Sequence, residues 1–503
     1  MFSYSEIRKN TYYDSVTLML ISGKLEAVAG VEEAAVMMGT EHNKLLMKNA
    51  QILDPEAENC GPNDLLIGLR ADSQEAVETA KLCLKEAFEE KRKASNDGGE
   101  SLSAQTVETA AEMLDNPNVC VISLPGRYAK RQAMKAMRMG MHVLLFSDNV
   151  SVEEEIELKE YANAHDLLMM GPDCGTAIIS GAALGFANVI RRGQIGVVAA
   201  AGTGLQEVAV LVERFGGGIS QAIGTGGRDV TKKVGGLMML SALRALEADD
   251  NTHVIGIVSK PPAQDVLEKI KKLPFSKPVV CCLLGAPEGW ADGTGLIETR
   301  TLEDTAAALA AIDQGEQPMP LVDTDVLPDA VPGERRYVRG LYSGGTLCYE
   351  AMNILQKEIG PIRSNLGKTP ETQLENVEVS AGHTLVDMGD DYFTDGMPHP
   401  MIDMRLRCER IRKEAADPET AVILLDCVLG FGCHGDPAGA LADAIRAAKR
   451  EHPGVIYVAS VCGTDRDEQN RAKQVRTLRE AGVIVAESNA RAAKITARLL
   501  CGK

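Results

Sequence analysis

The run Ile195-Gly196-Val197-Val198-Ala199-Ala200-Ala201-Gly202-Thr203-Gly204-Leu205-Gln206-Glu207 goes from a buried-strand pattern to small residues, a Gly-Thr and a helix pattern within one short stretch. It has a second copy, Gly340-Leu341-Tyr342-Ser343-Gly344-Gly345-Thr346-Leu347-Cys348-Tyr349-Glu350. In both, a Glu stands four residues after the Thr, as Glu207 and Glu350. The repetition predicts an internal duplication in which a strand feeds a helix through a tight turn. Such a helix start presents unpaired backbone N–H groups and a positive dipole end, which suits a phosphate or another anion.

Two more glycine clusters follow apolar runs, Ile223-Gly224-Thr225-Gly226-Gly227-Arg228-Asp229 in the first half and Leu429-Gly430-Phe431-Gly432-Cys433-His434-Gly435-Asp436-Pro437 in the second. Any one of them alone reads as a tight turn. Four of them in two matching halves point to ligand-binding loops at strand ends.

The 503 residues suit three or four domains. A net charge of −18 disfavours nucleic acid and anionic membranes, and Arg446, Lys449 and Arg450 read as one solvated helix face, not a basic patch. The twelve cysteines are scattered, often within apolar runs, with no C-x-x-C pair, which predicts free thiols in a reducing compartment. Without a leader-like N-terminus or a long apolar span, a cytoplasmic location is expected.

Along the chain, residues 1–92 read as a small α+β domain of the split βαβ kind. Its expected strands are Val16–Leu20, Glu33–Met38 and Asp64–Leu69, with helices through Gly23–Gly30 and Ser73–Glu90. Lys91–Ser101 reads as a linker. Short apolar runs alternating with helices then predict parallel sheets covered on both faces. The expected domains are a Rossmann-like one at 104–192, a flavodoxin-like one at 193–315 and, after the acidic proline-containing stretch Gln317–Arg335, a second flavodoxin-like one at 336–503.

Gly171-Pro172-Asp173-Cys174-Gly175, Ala201-Gly202-Thr203 and Gly224-Thr225-Gly226-Gly227-Arg228-Asp229 resemble motifs of the succinyl-CoA synthetase α-subunit, and residues 336–503 resemble the carboxyl-terminal domain of its β-subunit. With the N-terminal extension, the arrangement resembles the FdrA proteins. The resemblance implies a CoA-binding-type domain and two ligase-type domains. It departs from the ligases at Glu288-Gly289-Trp290-Ala291-Asp292-Gly293-Thr294, where the phosphorylated histidine of that family has no counterpart, and no segment is left for an ATP-grasp domain. The FdrA resemblance implies a subunit of an oxamate carbamoyltransferase of allantoin catabolism, using carbamoyl phosphate and releasing phosphate. An acyl-CoA synthetase with CoA as ligand is the alternative, and a non-catalytic scaffold or metabolite sensor is a third reading. Small-molecule substrates, hetero-oligomeric protein partners and self-association are expected.

For that chemistry, Gly202, Thr203, Gly204, Gly345 and Thr346 would hold the phosphate through backbone N–H groups, assisted by the glycine turns at Gly226, Gly227, Gly432, Gly435 and Asp436. Arg228 would clamp phosphate or a carboxylate, or else pair locally with Asp229. His434 would act as acid–base or carbonyl-polarising group, or else cap its turn. Asp436 before Pro437 also reads as a helix N-cap. The acidic loop carrying Asp387, Asp390, Asp391, Asp395 and Asp403 between His383 and His399 has the residue types of a cation site but reads more simply as solvated, so no metal is assigned. Cys433 beside His434 is not expected to act as a nucleophile.

Overall fold

The structure is a computed structural model. It describes the chain except residues 1, 12, 14, 41–42, 45–46, 49, 55–58, 95–103, 105, 322–333, 395–396 and 503. Much of both expected linkers lies outside the described residues. Two compact bodies form, one built mainly from residues 1–104 and the other from 105–390 with 399–503.

In the first body, β1 (Phe2–Arg8), β2 (Val31–Met38) and β3 (Leu65–Ala71) form a sheet of order β1-β3-β2, in which β3 runs antiparallel to both neighbours. The outer strands are therefore parallel, joined by α1 (Ser15–Glu26) and split by β3, which is the split βαβ arrangement. α2 (Gln74–Ala94) completes it. The strand expected at Val16–Leu20 is helix: Leu18, Ile21 and Leu25 are buried at helical spacing while Leu20 is exposed. A short apolar run does not by itself distinguish strand from buried helix, and here the period of the buried positions decides. Strand β1 was not expected because its polar, partly exposed residues give no apolar run.

The second body opens with α3 (Val107–Met113), β4 (Val119–Ile122), α4 (Gly126–Arg138), β5 (His142–Leu145), α5 (Val152–Ala164) and β6 (Met169–Met170), whose strands form a parallel sheet β4-β5-β6. Next come β7 (Thr176–Ile179) and β8 (Ala182–Gly185). The first half of the duplication follows as β9 (Arg192–Ala199), α6 (Gly202–Arg214), β10 (Ile219–Gly224), α7 (Leu237–Ala248), β11 (Val254–Ser259), α8 (Gln264–Lys271), β12 (Val279–Leu283), β13 (Ile297–Thr299) and α9 (Leu302–Asp313). Its sheet runs β13-β12-β11-β9-β10, extended by the antiparallel pair β7-β8.

The second half comprises β14 (Tyr337–Tyr342), α10 (Gly345–Ile359), β15 (Thr384–Asp387), α11 (Arg405–Ala416), β16 (Thr420–Val428), α12 (Pro437–Glu451), β17 (Ile456–Cys462), α13 (Arg471–Glu480), β18 (Ile484–Ala486) and α14 (Asn489–Cys501). Its order, β18-β17-β16-β14-β15, repeats that of the first half strand for strand. Numbered within each half, both sheets read 2-1-3-4-5, the flavodoxin-like order, whose ligand crevice lies at the carboxyl ends of the first and third strands. The duplication is thus real, with one correction. The cluster Gly224–Asp229 follows the second strand of its half, whereas Leu429–Pro437 follows the third strand of the other, so these two clusters are not equivalents. No helix among the described residues is long and apolar enough to cross a membrane.

Candidate functional site

The two Gly-Thr turns meet. At the exit of β9, α6 starts after Ala201 without a side-chain cap, and at the exit of β14, α10 starts after Gly344, also uncapped. The first-turn N–H groups at Gly202, Thr203 and Gly204 consequently have no acceptor within the helix. A Cβ on Gly344 would stand 2.8 Å from Cγ2 of Thr203, and one on Gly204 would stand 2.8 Å from Cγ2 of Thr346. Each half thus places its threonine on the other half's glycine. Both threonines are buried, and glycine is required because two helix starts approach too closely for a side chain.

The glutamates four residues on complete the exchange. Glu350 Oε1 accepts from the N–H of Leu302, at the start of α9 in the first half, at 2.7 Å. Glu207 Oε1 accepts from the N–H of Asn489, at the start of α14 in the second, at 3.1 Å. Each half therefore caps the last helix of the other. Asn489 Nδ2 also donates to Glu350 Oε2 at 2.8 Å. Burial, reinforced by the negative charges of Glu207 and Glu303, pushes the Glu350 carboxyl up to about 8.

The second-half turn is held from below by a buried ion pair. Asp426 accepts from the N–H groups of Ser343 and Gly344 and from the Ser343 hydroxyl, and Arg407 donates to it at 2.8 Å, both side chains fully buried. At the end of β15, the Asp387 carboxyl crowds Gly345: a Cβ there would stand 2.4 Å from Oδ2. Its Oδ1 accepts from the Gly389 N–H at 3.0 Å. Burial raises this carboxyl to about 7, with the Gly389 hydrogen bond opposing. At Gly345 the expected anion seat is therefore faced by the chain's own carboxyl group, whereas at Gly202 the Thr176 hydroxyl stands 3.8 Å from where a Cβ would lie.

The loop after β16 docks on the segment after β8. Phe431 N–H donates to the Ala187 carbonyl at 2.9 Å, Asn188 Nδ2 donates to the Leu429 carbonyl at 2.9 Å, and the Phe186 ring comes within 3.1 Å of a Cβ placed on Gly432. The Thr176 hydroxyl donates to the Phe186 carbonyl at 2.7 Å. Phe186 and Thr176 thereby bridge the Gly202 and Gly432 turns. His434 donates its N–H to the Met401 carbonyl at 2.8 Å, while its Nδ1 accepts from the Asp436 N–H at 3.0 Å, so the ring serves its own turn. Asp436 is the N-cap of α12 and also accepts from Gln474 Nε2 at 2.9 Å. Gly435 is open.

Arg228 faces the sheet β4-β5-β6 region. Its Nε lies 3.0 Å from Glu155 Oε2 and its Nη2 donates to the Val150 carbonyl at 2.8 Å, with the side chain 41% exposed. The local pairing with Asp229 does not form, because Asp229 turns inward to the fully buried Lys159 and to the N–H groups of Met238 and Met239. Gly226 sits against the Pro172 carbonyl, 2.3 Å from where a Cβ would stand, so this turn rests on the Gly171–Gly175 motif, while Gly227 is open.

A family model described as CoA-ligase matches residues 341–499, and one described as "AllF, heavy metal-associated domain" matches residues 1–105. The Escherichia coli K12 protein "Uncharacterized protein YahF" is 42% identical over 507 residues, 98% of each chain. The chain belongs to the YahF family. The alpha subunit of the ADP-forming succinate–CoA ligase of Methanothermobacter thermautotrophicus is 28% identical over 187 residues, 36% of this chain and 61% of that subunit. The dinucleotide-forming acetyl-coenzyme A synthetase 1 of Ca. Korarchaeum cryptofilum superposes with a TM-score of 0.33 at 15% identity, covering 78% of this chain and 84% of that one.

In this YahF-family chain, the stretch Glu288–Thr294 carries no histidine, and Trp290 packs half-buried on the apolar cluster under β11 and β12. The Cys433 thiol is pushed up to about 12, mainly by burial, which leaves it protonated and unreactive at neutral pH. Within the acidic loop, Asp387 is buried, Asp403 pairs with Arg405, and the His399 ring packs 5.6 Å from that of Phe186. Asp395 lies outside the described residues. No cluster of three or more metal-ligating side chains occurs among the described residues.

Proposed function

We propose that this chain is a subunit of an enzyme that works on a mixed anhydride of phosphate, on an acyl-CoA ligase scaffold. A nucleophile adds to the carbonyl carbon and inorganic phosphate departs. The observation that carries this reading is the meeting of two duplicated, uncapped Gly-Thr helix starts at the carboxyl ends of two flavodoxin-like sheets, with the Gly202 side open. Backbone N–H groups of Gly202, Thr203 and Gly204 stabilise the phosphate and the developing charge. The match to the CoA-ligase family model and to ligase α-subunits favours an acyl-CoA synthetase-type reaction, with the CoA thiol as nucleophile.

A second reading, carbamoyl transfer from carbamoyl phosphate to oxamate, is favoured by two specific observations: the histidine-free Glu288–Thr294 stretch and the AllF-type N-terminal domain. Without a phosphohistidine, a nucleotide cannot supply the phosphoryl group by that route, and a preformed acyl phosphate removes the need. In both readings protein partners complete the assembly.

Phosphorus NMR of the full chain, purified with its co-purifying proteins, tests both. Phosphate release from acetyl or succinyl phosphate that depends on CoA supports the ligase-type reading. Release from carbamoyl phosphate that depends on oxamate supports carbamoyl transfer. No acceptor-dependent release in either mixture overturns the proposal.

A further inference from the structure

Lys260, which sequence reasoning passed over, stands at a strand end to which the flavodoxin-like order directs a ligand, and Asp387, there read as part of a solvated acidic loop, stands against the Gly345 helix start. Lys260 follows β11, the third strand of the first half, and Asp387 ends β15, the second strand of the second half. The Lys260 ammonium lies 5.2 Å from the centre of the Tyr349 ring on α10, and among the described residues it makes no ion pair. Val258, two residues before it, stands 3.2 Å from where a Cβ on Gly204 would lie, and Tyr349 is four residues past the Gly345 start that Asp387 crowds, so Lys260 stands at the two helix starts. A half-buried lysine without a carboxylate partner, next to a buried carboxyl and two uncapped helix starts, is an arrangement for receiving an anion and a proton together.

Resting on the acyl-phosphate reading above, we propose that Lys260 holds the phosphate of the acyl phosphate and that Asp387 carries the proton of the reaction. The protonated Asp387 carboxyl gives its proton to the phosphate oxygen as the carbonyl-carbon to phosphate-oxygen bond breaks and its electron pair leaves on that oxygen, while the nucleophile's lone pair forms the new bond to the carbonyl carbon. The nucleophile's N–H or S–H proton then passes to the Asp387 carboxylate. The dianionic acyl phosphate thus yields hydrogen phosphate, and Asp387 ends as it began. A carboxyl that titrates near neutral pH is matched to both transfers. The other groups around it do not compete. His399 is pushed down to about 4 by burial and Arg407, Cys348 is held well above its usual value, and Asp426 is committed to Arg407, while Asp390 adds negative charge that favours the protonated carboxyl.

Calorimetric titration of inorganic sulfate, a dianion that does not itself titrate, into the full chain tests the pair independently of turnover. Wild type is expected to bind sulfate more weakly as pH rises above about 7, by about tenfold per pH unit, because Asp387 ionises beside the anion. Asp387→Asn, which keeps an acceptor for the Gly389 N–H, removes that dependence. Lys260→Met, at a half-buried position, weakens binding at least about tenfold at every pH. No measurable sulfate binding to wild type, an Asp387→Asn profile that overlays wild type, or unchanged affinity in Lys260→Met overturns the inference. Failure of acceptor-dependent phosphate release in the NMR experiment would instead remove the acyl-phosphate reading.

Discussion

Glu350 ties the two halves together, and its carboxyl makes that tie pH-dependent. In the folded chain it titrates at about 8 against an ordinary 4.5. Between these values the folded state holds a proton that the unfolded chain has lost, so stability falls as pH rises through the window and levels off above the folded value. Glu350→Gln cannot ionise. Its amide can still accept from the Leu302 N–H, but its NH2 faces Asn489 Nδ2, a pH-independent loss of about 1 kcal/mol. The stability of Glu350→Gln relative to wild type should therefore grow about tenfold in folding equilibrium per pH unit, roughly 3 kcal/mol between about pH 5 and 7. All other titrating groups cancel in the comparison. Urea unfolding at several pH values, read from far-ultraviolet circular dichroism and from the fluorescence of Trp290, the single tryptophan, measures the gap. Parallel stability curves for the two proteins would refute the reasoning, since a buried, proton-holding Glu350 requires them to diverge.

The glycine-threonine exchange predicts that Gly344→Ala destabilises by about 1–3 kcal/mol through overpacking, and that Thr203→Ala in the same chain relieves part of it. Strictly additive losses in a double-mutant cycle would deny the contact. Lys159→Met leaves the buried Asp229 carboxylate without a cation and takes from Glu155 one of its two cations, and should cost about 3–5 kcal/mol; chemical denaturation showing a loss under about 1 kcal/mol would mean the network is not buried in solution. Asp436→Ala should lower stability by about 1 kcal/mol as an N-cap loss, with Asp436→Asn near wild type. A large fall in phosphate release with Asp436→Asn at unchanged stability would assign Asp436 to the ligand and not to the helix.

The buried strands of both halves were legible because parallel strands covered on two faces must be apolar throughout, so Val254–Ser259 and Thr420–Val428 announce themselves. The repeat of Gly-Thr with a Glu four residues on was legible too, and it marked equivalent positions correctly. Its meaning was not. In the sequence Gly204 reads only as a glycine for a ligand, but it also lies under Thr346, as Gly344 lies under Thr203, and no local pattern reveals a packing partner about 140 residues away. Glu207 and Glu350 were visible as a pair, but that each caps the other half's final helix depends on how the halves meet. The Val16–Leu20 misreading has a local cause, an apolar run too short for its period to be read.

What the sequence determined by itself is the set of elements and their duplication, because backbone hydrogen bonding and the period of burial act over a few residues. What only the tertiary structure decided is which strand ends share a crevice. Asp387 and Lys260 carry no motif. They become a candidate pair because two sheets of the same strand order place the carboxyl ends of β15 and β11 around one helix start, and burial there raises a carboxyl to about 7. Desolvation and through-space charge depend on three-dimensional neighbours, and neither can be read along the chain.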